Sequence, residues 1–574
     1  KVNKKHGLLN NVNMKTKTIK NTFDVIVVGS GISGGWAAKE LTEAGLKTIV
    51  LERGRNVEHI TDYSTAHKQP WEFKNRFHLS NKEIKERPIQ SSHCDDTNKH
   101  FFVKDINHPY IQEEPFKWIR GYQVGGRSLT WGRQCYRFSD LDFQANKKDG
   151  HGVDWPIRYK DLEKWYDYVE EYVGISGNLD QLPHLPDGVF LPPIPLNTIE
   201  KHLQKSLDAK YSERKVINGR VANLTTAKEG RGKCLYRNMC SRGCPFSGYF
   251  SSNSFTLKDA SITGNLTLRP NSIVKEIIYD KDQKRAVGVV IIDKDTKQES
   301  RYYSKIIFLN ASTIATTAIL LNSTSESFPN GLGNSSGQLG HNLMDHVINE
   351  GTYGLHNGFK DKYYEGRSPG TIYIPRFQNI NKITKNKEFL RGYGIQGKGE
   401  RENWKAKTTS GIGIELKKQL QVPGKWKISL SGRGETLPNF NNKISLDPIK
   451  KDKWGIPIVK IDFNYGDNEI AMMKHMTQAS EEILLKSGFI KIHSYRSSPT
   501  PGSAVHEMGT ARMGNNPKTS VLNKHNQMHD VKNIFITDGS CMTSSGCQNP
   551  SLTYMALTAR ACHHAINQFN SGLL

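Results

Sequence analysis

A glycine-rich turn near the beginning of the chain constrains the fold more than any other feature. The turn is residues 29–34 (GSGISG), and it follows the apolar run 23–28 and precedes a helical pattern over residues 36–44. A second apolar run, residues 48–51, ends at Glu52. Strand, helix and strand within roughly thirty residues is the arrangement that a parallel sheet requires. The segment therefore predicts a Rossmann-like domain of an α/β fold.

The glycines of this turn and the acidic residue after it have separate roles in such a domain. Gly29 permits the tight turn, Gly31 lets the backbone approach a pyrophosphate, and Gly34 lets helix and strand pack closely. Glu52 is placed to hydrogen-bond a ribose. A glycine turn by itself is often purely structural, but strand, helix and acidic residue together predict dinucleotide binding. The turn does not distinguish FAD from NAD.

Length and charge exclude few classes of protein. The chain has 574 residues, enough for two or more domains, and a formal net charge of +24. Such a charge permits binding to nucleic acid, to an anionic membrane or to an acidic partner. The lysines are spread along the whole chain, and no nucleic-acid motif accompanies them. We therefore expect a solvated basic surface and no nucleic-acid partner.

The chain carries no obvious targeting or membrane segment. Residues 1–20 are rich in Lys and Asn and lack the apolar core of a secretory signal. The first residue is Lys, so Met14 is a candidate start, and whether residues 1–13 belong to the native chain is open. The most apolar stretch, residues 306–321, is interrupted by Asn310, Ser312 and several Thr. We expect no membrane span within this chain.

The middle of the chain contains further helix and strand patterns. Apolar and aromatic positions recur at helical spacing over residues 159–173, which predicts an amphipathic helix that faces the core. Residues 266–310 contain short strand patterns that can return to the first sheet. Residues 350–490 contain strand-like pieces, such as 371–374 and 426–430, and predict a second domain. In this region Tyr373, Gln396 and Trp404 are polar or aromatic candidates that could equally be core or surface residues.

Three C-terminal segments narrow the choice of cofactor. They are residues 505–514 (VHEMGTARMG), 533–539 (NIFITDG) and 548–553 (QNPSLT). Together with the glycine-rich turn and residues 125–131 (GGRSLTW), they resemble the glucose-methanol-choline (GMC) family of FAD oxidoreductases. The resemblance covers nearly the whole chain. It implies a Rossmann-like FAD-binding domain and a substrate domain built on an antiparallel sheet with helices.

The same resemblance implies a division into two domains. The FAD-binding domain is discontinuous, with residues 20–150, 215–345 and 500–574, and it includes a cysteine-containing segment at 230–250. The substrate-binding domain comprises residues 151–214 and 346–499.

A His and an Asn are the predicted catalytic pair. In the family, a His of the His-x-x-Gly-Thr segment lies over the flavin with a second His or Asn some forty residues later, and His506 and Asn549 match these positions. Alcohol oxidation removes the hydroxyl proton while a hydride leaves the same carbon for flavin N5. A neutral His can accept that proton, and Asn549 can hydrogen-bond the same oxygen. The alternative for His506 is a purely structural histidine.

The resemblance also implies how FAD is held. Thr130 stands where some sugar oxidases of the family attach the flavin to a His, so we expect non-covalent FAD. The expected cofactor-binding residues are Gly29, Gly31, Gly34, Glu52, Gly125, Gly126, Ser128, Trp131, Val274, Asp538, Gly539 and Pro550. For Asp538 and Gly539 the alternative is an ordinary turn at the end of a strand.

Three cysteines occur close together in the chain. Cys234, Cys240 and Cys244 lie within eleven residues, and Pro245 follows the last of them. Thiolates are soft ligands for iron-sulfur clusters or zinc, and three thiolates favour a three-iron cluster (3Fe-4S) or a cluster with one other ligand. The spacing is similar to that in the sugar-dehydrogenase branch of the family. Structural zinc and plain buried thiols are the alternatives, and core packing is expected for the remaining cysteines, which are Cys94, Cys135, Cys541, Cys547 and Cys562.

The resemblance to this branch implies a sugar or glycoside dehydrogenase, with the ring C3 hydroxyl preferred over C1. Reduced flavin would pass electrons through the cluster to an external haem c protein. The family branch often works beside a small export or chaperone subunit with a twin-arginine signal, which implies a periplasmic location; a cytoplasmic one is the competing reading. An FAD alcohol or polyol oxidase that uses oxygen and a non-catalytic flavoprotein are the alternative functions.

Overall fold

Two large β-sheets, one mixed and one antiparallel, organise the described part of the chain. The structure is a computed structural model that describes residues 21–349, 351–363, 367, 370–401, 411–495 and 499–574, so Met14 and Trp404 lie outside the described residues. Its α-helices are α1 (Ile32–Glu43), α2 (Asn81–Glu86), α3 (Asp140–Phe143), α4 (Ala145–Asp149), α5 (Tyr159–Val173), α6 (Thr198–Lys210), α7 (Thr256–Ile262), α8 (Thr313–Asn322), α9 (Gly413–Gln421), α10 (Asp467–Lys486) and α11 (Ser551–Asn570). Its strands are β1 (Thr22–Val28), β2 (Thr48–Leu51), β3 (Ile111–Gln112), β4 (Ile217–Asn218), β5 (Leu266–Arg269), β6 (Ser272–Asp280), β7 (Arg285–Asp293), β8 (Glu299–Leu309), β9 (Val347–Ile348), β10 (Thr352–His356), β11 (Ile372–Ile374), β12 (Tyr393–Arg401), β13 (Trp426–Gly434), β14 (Lys443–Lys451), β15 (Pro457–Asp462), β16 (Ile490–Ser494) and β17 (Ile534–Phe535).

The first sheet carries the glycine-rich turn. Its strand order is β5-β2-β1-β8-β7-β6, and β17 pairs with β8. β1 runs parallel to β2 and β8, whereas β6 and β7 form an antiparallel hairpin that pairs with β8. Residues 25–28 and 306–309 are buried at every position, as expected where a parallel sheet is covered on both faces. The predicted return of the 266–310 strands to the first sheet is confirmed.

Helices cover this sheet. α1 packs against α7 and α11, and α11 packs against α5. Trp36 of α1 is fully buried and makes edge-on contacts with Tyr168 and Tyr172 of α5, with ring centroids 6.0 and 5.2 Å apart. Because these aromatic residues lie on one face of α5, they fix that helix against the turn-bearing helix α1. The predicted helix over residues 159–173 is confirmed at both ends.

The second sheet is antiparallel and has one face against α10. Its order is β16-β10-β13-β12-β11-β4, and β9 pairs with β13. Trp426, Ile428 and Leu430 of β13 are buried, and Gly432 approaches Met476 of α10 so closely that an added Cβ would lie 2.6 Å from its sulfur. Since side chains alternate along a strand, the intervening residues of β13 face the opposite side of the sheet. That opposite face contributes side chains to the site described below.

The chain passes more than once between the two sheets. Strands of the first sheet come from residues 22–51, 266–309 and 534–535, and strands of the second come from residues 217–218 and 347–494. β4, which lies in the predicted FAD-binding segment 215–345, pairs with β11 of the second sheet. The exact domain boundaries stay a prediction.

A buried ion-pair network joins α4 to the second sheet. Arg391 donates to Glu435 Oε1 at 2.5 Å and to Asp149 Oδ1 at 2.9 Å, and it also contacts Asn146 Oδ1 at 3.0 Å. The side chains of Arg391 and Glu435 are 2% and 0% exposed, so each charge depends on the other for solvation. The network ties α4 to Glu435, the residue that directly follows β13.

None of the helices in the described ranges combines the length and the apolar character that a bilayer crossing requires.

Candidate active site

A cavity of about 370 Å³ opens at the carboxyl ends of β1 and β2. This is the edge at which ligands bind in open α/β sheets. Most of the predicted cofactor and catalytic residues line it: Gly29, Gly31, Glu52, Gly126, Ser128, Trp131, Val274, His506, Asp538, Gly539, Asn549 and Pro550. Gly34 and Gly125 lie behind this lining rather than in it. The structure therefore brings together residues from opposite ends of the chain, such as Gly29 and Pro550.

The three glycines of the turn occupy three different environments. Gly29 has φ +92°, and an added Cβ would lie 2.4 Å from the carbonyl oxygen of Asn310. At Gly34 an added Cβ would lie 1.9 Å from the carbonyl oxygen of Gly29, so this glycine permits close packing of helix and strand. At Gly31 no atom lies within 4 Å of the added Cβ, because this position faces the open cavity. Gly29 and Gly34 therefore permit the tight turn and the close helix–strand packing, and Gly31 leaves open space where a pyrophosphate is expected.

Glu52 is fixed by the turn itself. Its Oε2 accepts hydrogen bonds from the amide and hydroxyl groups of Ser30 at 3.1 and 2.6 Å, and its Oε1 accepts from the amide of Gly54 at 2.8 Å. Burial raises the pKa of Glu52, and the bonds from Ser30 and Gly54 oppose that rise. The carboxylate is thus held at the end of β2, and one lone pair of Oε1 is left for a ribose.

The loop 125–131 closes one side of the cavity. Gly125 has φ +85° and donates its amide to Ser30 Oγ at 3.0 Å, which explains why this glycine lies behind the lining. Ser128 Oγ donates to the carbonyl of Gly125 at 2.6 Å, and Trp131 Nε1 donates to the carbonyl of Phe250 at 2.9 Å. The loop is therefore held against both the glycine-rich turn and the segment that follows the cysteines.

Asp538 anchors the last segment at the cavity. Its Oδ1 accepts from the amide of Ser540 at 3.0 Å, and its Oδ2 accepts from Thr316 Oγ1 at 2.6 Å. The next residue, Gly539, leaves no room for a side chain, because an added Cβ would lie 2.3 Å from the carbonyl oxygen of Glu507. Asp538 thus caps the short helical turn 539–541 and fixes the backbone that faces the cavity.

The cavity presents polar atoms that no protein group satisfies. Asn310 Nδ2, Glu507 Oε1 and Tyr554 Oη are buried, have no hydrogen-bond partner within the described residues, and belong to residues that line the cavity. A buried polar atom without a partner costs free energy, and a ligand with polar edges removes that cost. The open Gly31 position and these unpartnered atoms fit a dinucleotide cofactor.

His506 and Asn549 lie side by side at this cavity. Asn549 Nδ2 lies 3.4 Å from His506 Nε2, and both residues line the cavity. Gln396 of β12 donates from Nε2 to Asn549 Oδ1 at 2.5 Å, so the amide of Asn549 turns its nitrogen towards His506. Gln396, from the open face of the second sheet, is thereby placed at the site, whereas Tyr373 is buried and stacks on Tyr136.

The segment before His506 is strained and is held by Asp345. Val505 has φ +59°, which is a rare conformation for a β-branched residue and is typical of functional loops. Asp345 Oδ1 accepts from the amide of His506 at 2.9 Å, and its Oδ2 accepts from the amide of Ala504 at 3.3 Å. Asp345 therefore bridges the two amides that flank the strained residue.

A second histidine contacts His506 from behind. His346 Nδ1 lies 2.9 Å from His506 Nδ1, and the two rings meet nearly edge-on, at an angle of 81°. His346 is completely buried, and its Nε2 lies 3.3 Å from the carbonyl oxygen of Ser545. His506 thus has one ring nitrogen towards His346 and the other towards Asn549 and the cavity.

Burial and nearby cations keep both histidines neutral. Burial, followed by His346, Arg433 and Arg127, holds the pKa of His506 well below its ordinary value of 6.5. Burial lowers the pKa of His346 to about 4. Burial and the charge of Glu507 raise the pKa of Asp345 to about 7. A neutral imidazole beside the cavity can accept a proton from a bound hydroxyl group.

The three clustered cysteines lie in one loop beside the cavity loop. Asn223 Nδ2 lies 3.8 Å from Cys234 Sγ, and the amide of Gly248 lies 3.3 Å from Cys244 Sγ. Burial raises the pKa of Cys234, with further contributions from Cys240 and Cys244, so the three thiols are near one another. The described residues nevertheless contain no group of three His, Cys, Asp or Glu side chains arranged to hold a metal ion. N–H groups contact the sulfurs of Cys234 and Cys244 instead.

Several residues of the site could not be identified from the sequence. Asp345 and His346 follow no recognised motif; the only signal is two adjacent titratable residues beside the apolar positions Met344 and Val347. Arg127, which donates to Glu507 Oε2 at 2.9 Å, likewise lies inside the segment 125–131, but roles were predicted there only for its neighbours.

Two family models, both described as GMC oxidoreductase, match residues 23–348 and 438–558. The chain belongs to the GMC oxidoreductases. It is an FAD-dependent oxidoreductase that acts on CH–OH donors, as the resemblance implied.

Similar proteins agree with this family and fold. The chain is 28% identical to a 2-methyl-1,2-propanediol dehydrogenase of Mycolicibacterium austroafricanum, over 96% of this chain and 97% of that protein. It is 24% identical to a fructose dehydrogenase large subunit of Gluconobacter japonicus, over 96% and 98% of the two chains. The structure of a pyridoxine 4-oxidase from Mesorbium loti matches with a TM-score of 0.59 at 14% identity, over 94% of this chain and 98% of that chain. The predicted fold, with its Rossmann-like domain and antiparallel substrate sheet, is confirmed.

Proposed function

We propose that this GMC oxidoreductase oxidises a secondary hydroxyl group of a sugar or glycoside to a ketone, with the C3 hydroxyl of a glucoside as the favoured position. The observation that carries the proposal is the contact between His506 and Asn549 at the wall of the cofactor cavity. The fructose dehydrogenase large subunit, which aligns over nearly its full length, supports a sugar substrate.

The two residues divide the chemistry between them. His506 accepts the proton of the substrate hydroxyl group at Nε2, the nitrogen that faces the cavity. Asn549 donates from Nδ2 to the same substrate oxygen and stabilises the charge that develops on it. Bound FAD supplies the hydride acceptor at N5. Since both residues are held by neighbours, the oxygen is positioned before reaction without a large reorganisation.

We propose that FAD is bound without a covalent link. Gly31 lets the backbone approach the pyrophosphate, Glu52 receives the ribose hydroxyls, and the segment at Asp538 faces the ribityl chain. Val274, Pro550 and loop 125–131 complete the lining. Thr130 also lines the cavity, and its hydroxyl group cannot form the histidyl linkage found in some sugar oxidases of the family.

The Cys234, Cys240 and Cys244 loop supports a finer proposal, an iron-sulfur cluster of the 3Fe-4S type. The spacing of the thiols, their mutual proximity and the N–H groups directed at two of the sulfurs are its support. Tyr249 donates to the carbonyl of Leu129 at 2.7 Å, so the segment is tied to the cavity loop. With such a cluster the electron acceptor would be an external haem c protein. A small export subunit and a periplasmic location belong to the same proposal.

A panel of substrates tests the hydroxyl group that is oxidised. Purified FAD-loaded enzyme is mixed anaerobically with glucosides, free sugars and 1,2-diols, and flavin bleaching is followed at 450 nm, about where oxidised flavin absorbs. A glucoside should bleach the flavin fastest, and NMR of its product should place the ketone at C3. A lactone product would show instead that the enzyme oxidises C1 of a free sugar. Bleaching by diols but by no sugar would overturn the sugar assignment.

Iron and sulfide analysis tests the cluster. The anaerobically purified enzyme should contain both elements, and Cys240→Ser should lose them while Cys562→Ser, at a buried cysteine of α11, should retain them. Absence of iron and sulfide from the wild-type enzyme would rule the cluster out. Rapid flavin reoxidation by oxygen in that case would identify an oxidase.

A further inference from the structure

A chain of three contacts runs from the backbone of Ser545 to the cavity through the two histidines. The carbonyl oxygen of Ser545 lies 3.3 Å from His346 Nε2, and His346 Nδ1 lies 2.9 Å from His506 Nδ1. On the far side, His506 Nε2 lies 3.4 Å from Asn549 Nδ2. Each contact restricts which ring nitrogen can carry a proton, because a carbonyl oxygen only accepts hydrogen bonds.

The position of each proton follows from the Ser545 end. Since Ser545 offers a carbonyl oxygen, His346 Nε2 must carry the hydrogen and donate it. His346 is completely buried, and burial lowers its pKa to about 4, so its ring is neutral and its Nδ1 holds a lone pair. His506 Nδ1 must then carry a hydrogen and donate it to His346. The remaining lone pair of His506 lies on Nε2, which faces the cavity.

The contacts of Asn549 also place the lone pair of His506 on Nε2. Gln396 donates to Asn549 Oδ1, so the nitrogen of the Asn549 amide faces His506 and donates to it. A donor at Asn549 requires an acceptor at His506 Nε2. Both ends of the chain therefore select one tautomer of His506, the tautomer that can accept a substrate proton.

The same short segment also holds the backbone of His506. Asp345, the neighbour of His346, accepts the amide hydrogens of His506 and Ala504. The hydroxyl group of Thr436 donates to the carbonyl of Asp345, and the hydroxyl group of Ser545 donates to the carbonyl of Thr436 at 3.2 Å. These bonds lock Ser545, Asp345 and His346 to one another. The tautomer-selecting contacts are thus made by a rigid part of the structure.

We propose that His346 is a positioning residue that selects the tautomer of His506 and so leaves Nε2 unprotonated and able to accept the substrate proton. The proposal rests on the assignment of His506 as the base in the proposed function. His346 is not among the residues that line the cavity, so it acts through His506. His346 therefore affects the rate at which His506 accepts the proton, because the wrong tautomer of a histidine base offers a donor where an acceptor is needed.

Two variants of similar length test the proposal. His346→Gln keeps a carbonyl oxygen that can accept from His506 Nδ1, whereas His346→Met has only a weak thioether acceptor. In anaerobic stopped-flow experiments with the best sugar of the panel, His346→Met should reduce its flavin about a hundredfold more slowly than wild type, with substrate Kd within about threefold. His346→Gln should recover at least about tenfold of that loss. Equal rates for the two variants would overturn the proposal, because a general packing defect affects both.

Two controls separate this proposal from the proposed function. His475→Met removes a different half-buried ring, which contacts Tyr393 behind the second sheet, and should leave flavin reduction unchanged. His506→Ala should reduce its flavin slowly whether or not His346 selects the tautomer. A slow His506→Ala with a wild-type rate for His346→Met would remove only the tautomer proposal. A wild-type rate for His506→Ala would remove the proposed function as well.

A measurement on the wild-type holoenzyme needs no variant at His346. Nitrogen-15 NMR of histidine-labelled enzyme distinguishes protonated from unprotonated ring nitrogens, and the signals of His506 are identified by their absence in His506→Ala. The proposal predicts that the hydrogen is on Nδ1 of His506. A hydrogen on Nε2 would contradict it.

Discussion

The cofactor side and the substrate side of the cavity are built in different ways. The cofactor side consists of backbone held at close range: Gly29, Ser30 and Gly34 lie within six residues of one another, and Ser30 donates to Glu52. The substrate side consists of side chains, among them His346, Gln396, His506 and Asn549, that come from distant parts of the chain.

The difference decides what each side tolerates. A backbone site fails when a Cβ is added, and is insensitive to most polar changes around it. A side-chain site fails when one polar contact is removed, because the remaining groups lose their orientation and are left unsatisfied. Changes at the two sides should therefore give separable defects in cofactor binding and in flavin reduction.

The largest effect is expected at the buried ion pairs that join α4 to the second sheet, which supplies Gln396 to the substrate side. Arg391→Leu leaves Glu435 and Asp149 without their counter-charge, and Glu435 is completely buried. Breaking such a pair on one side should lower the free energy of unfolding by about 3–5 kcal/mol. Urea and thermal unfolding measure the change. Lys160→Ala, at an exposed pair with Glu163, is the control and should unfold as wild type does.

On the substrate side, Asn549→Ala should slow flavin reduction by about 10²- to 10³-fold, because it removes the donor for the substrate oxygen. FAD content should stay at the wild-type level, although Asn549 borders the cavity. Gln396→Leu removes only the contact that orients Asn549, and a loss of about tenfold is expected. An unchanged rate in Asn549→Ala, measured by anaerobic stopped flow, would contradict the separation of the two sides.

On the cofactor side, two glycine substitutions should behave in opposite ways. Gly34→Ala places a Cβ 1.9 Å from a backbone oxygen and should cost roughly 1–3 kcal/mol of stability, and more if the strand cannot shift. Gly31→Ala meets no protein atom within 4 Å, so the apoprotein should unfold at the wild-type temperature while FAD binds more weakly. Thermal unfolding and FAD titration of the apoprotein compare them. Equal FAD affinity in Gly31→Ala and wild type would show that the cofactor does not approach this position.

The smallest effect is expected in the pH dependence of flavin reduction. The base must be neutral, and the pKa of His506 is lowered, so the rate should be constant above pH 6.5 and fall only as pH falls through the lowered pKa. Burial and the charge of Glu507 raise the pKa of Asp345 to about 7, so Asp345 also titrates in this range. Any inflection near pH 7 should disappear in Asp345→Asn. A single inflection at pH 6.5 that persists in this variant would mean that His506 has an ordinary, solvated pKa.

The two sides also differ in how much of them could be predicted from the sequence. The turn 29–34, Glu52, and helix 159–173 depend on local spacing, and local spacing is visible in a sequence. His506 and Asn549 were identified through the resemblance of their segments to a family. Asp345 and His346 could not be identified, because their role depends on a contact across about 160 residues that no local pattern encodes. Gln396 was one of several equal candidates until the register of β12 on β13 placed it beside Asn549.

The cysteine loop shows the limit of spacing as evidence. Three thiols at short intervals predict a cluster, yet the thiols of the described chain do not form a metal-holding group. Thiolates repel one another, and the bound ion is what draws them together, so convergence depends on a group that the sequence does not contain. The spacing remains the support for the cluster, and iron and sulfide analysis of the purified enzyme tests whether the cluster is present.

The role of His506 as the base at the cofactor cavity is tested most directly by His506→Ala. The variant should retain bound, oxidised FAD and unfold near the wild-type temperature, while its flavin is reduced by substrate about 10²- to 10⁴-fold more slowly. Reduction at the wild-type rate, in a variant that binds FAD normally, would contradict the account.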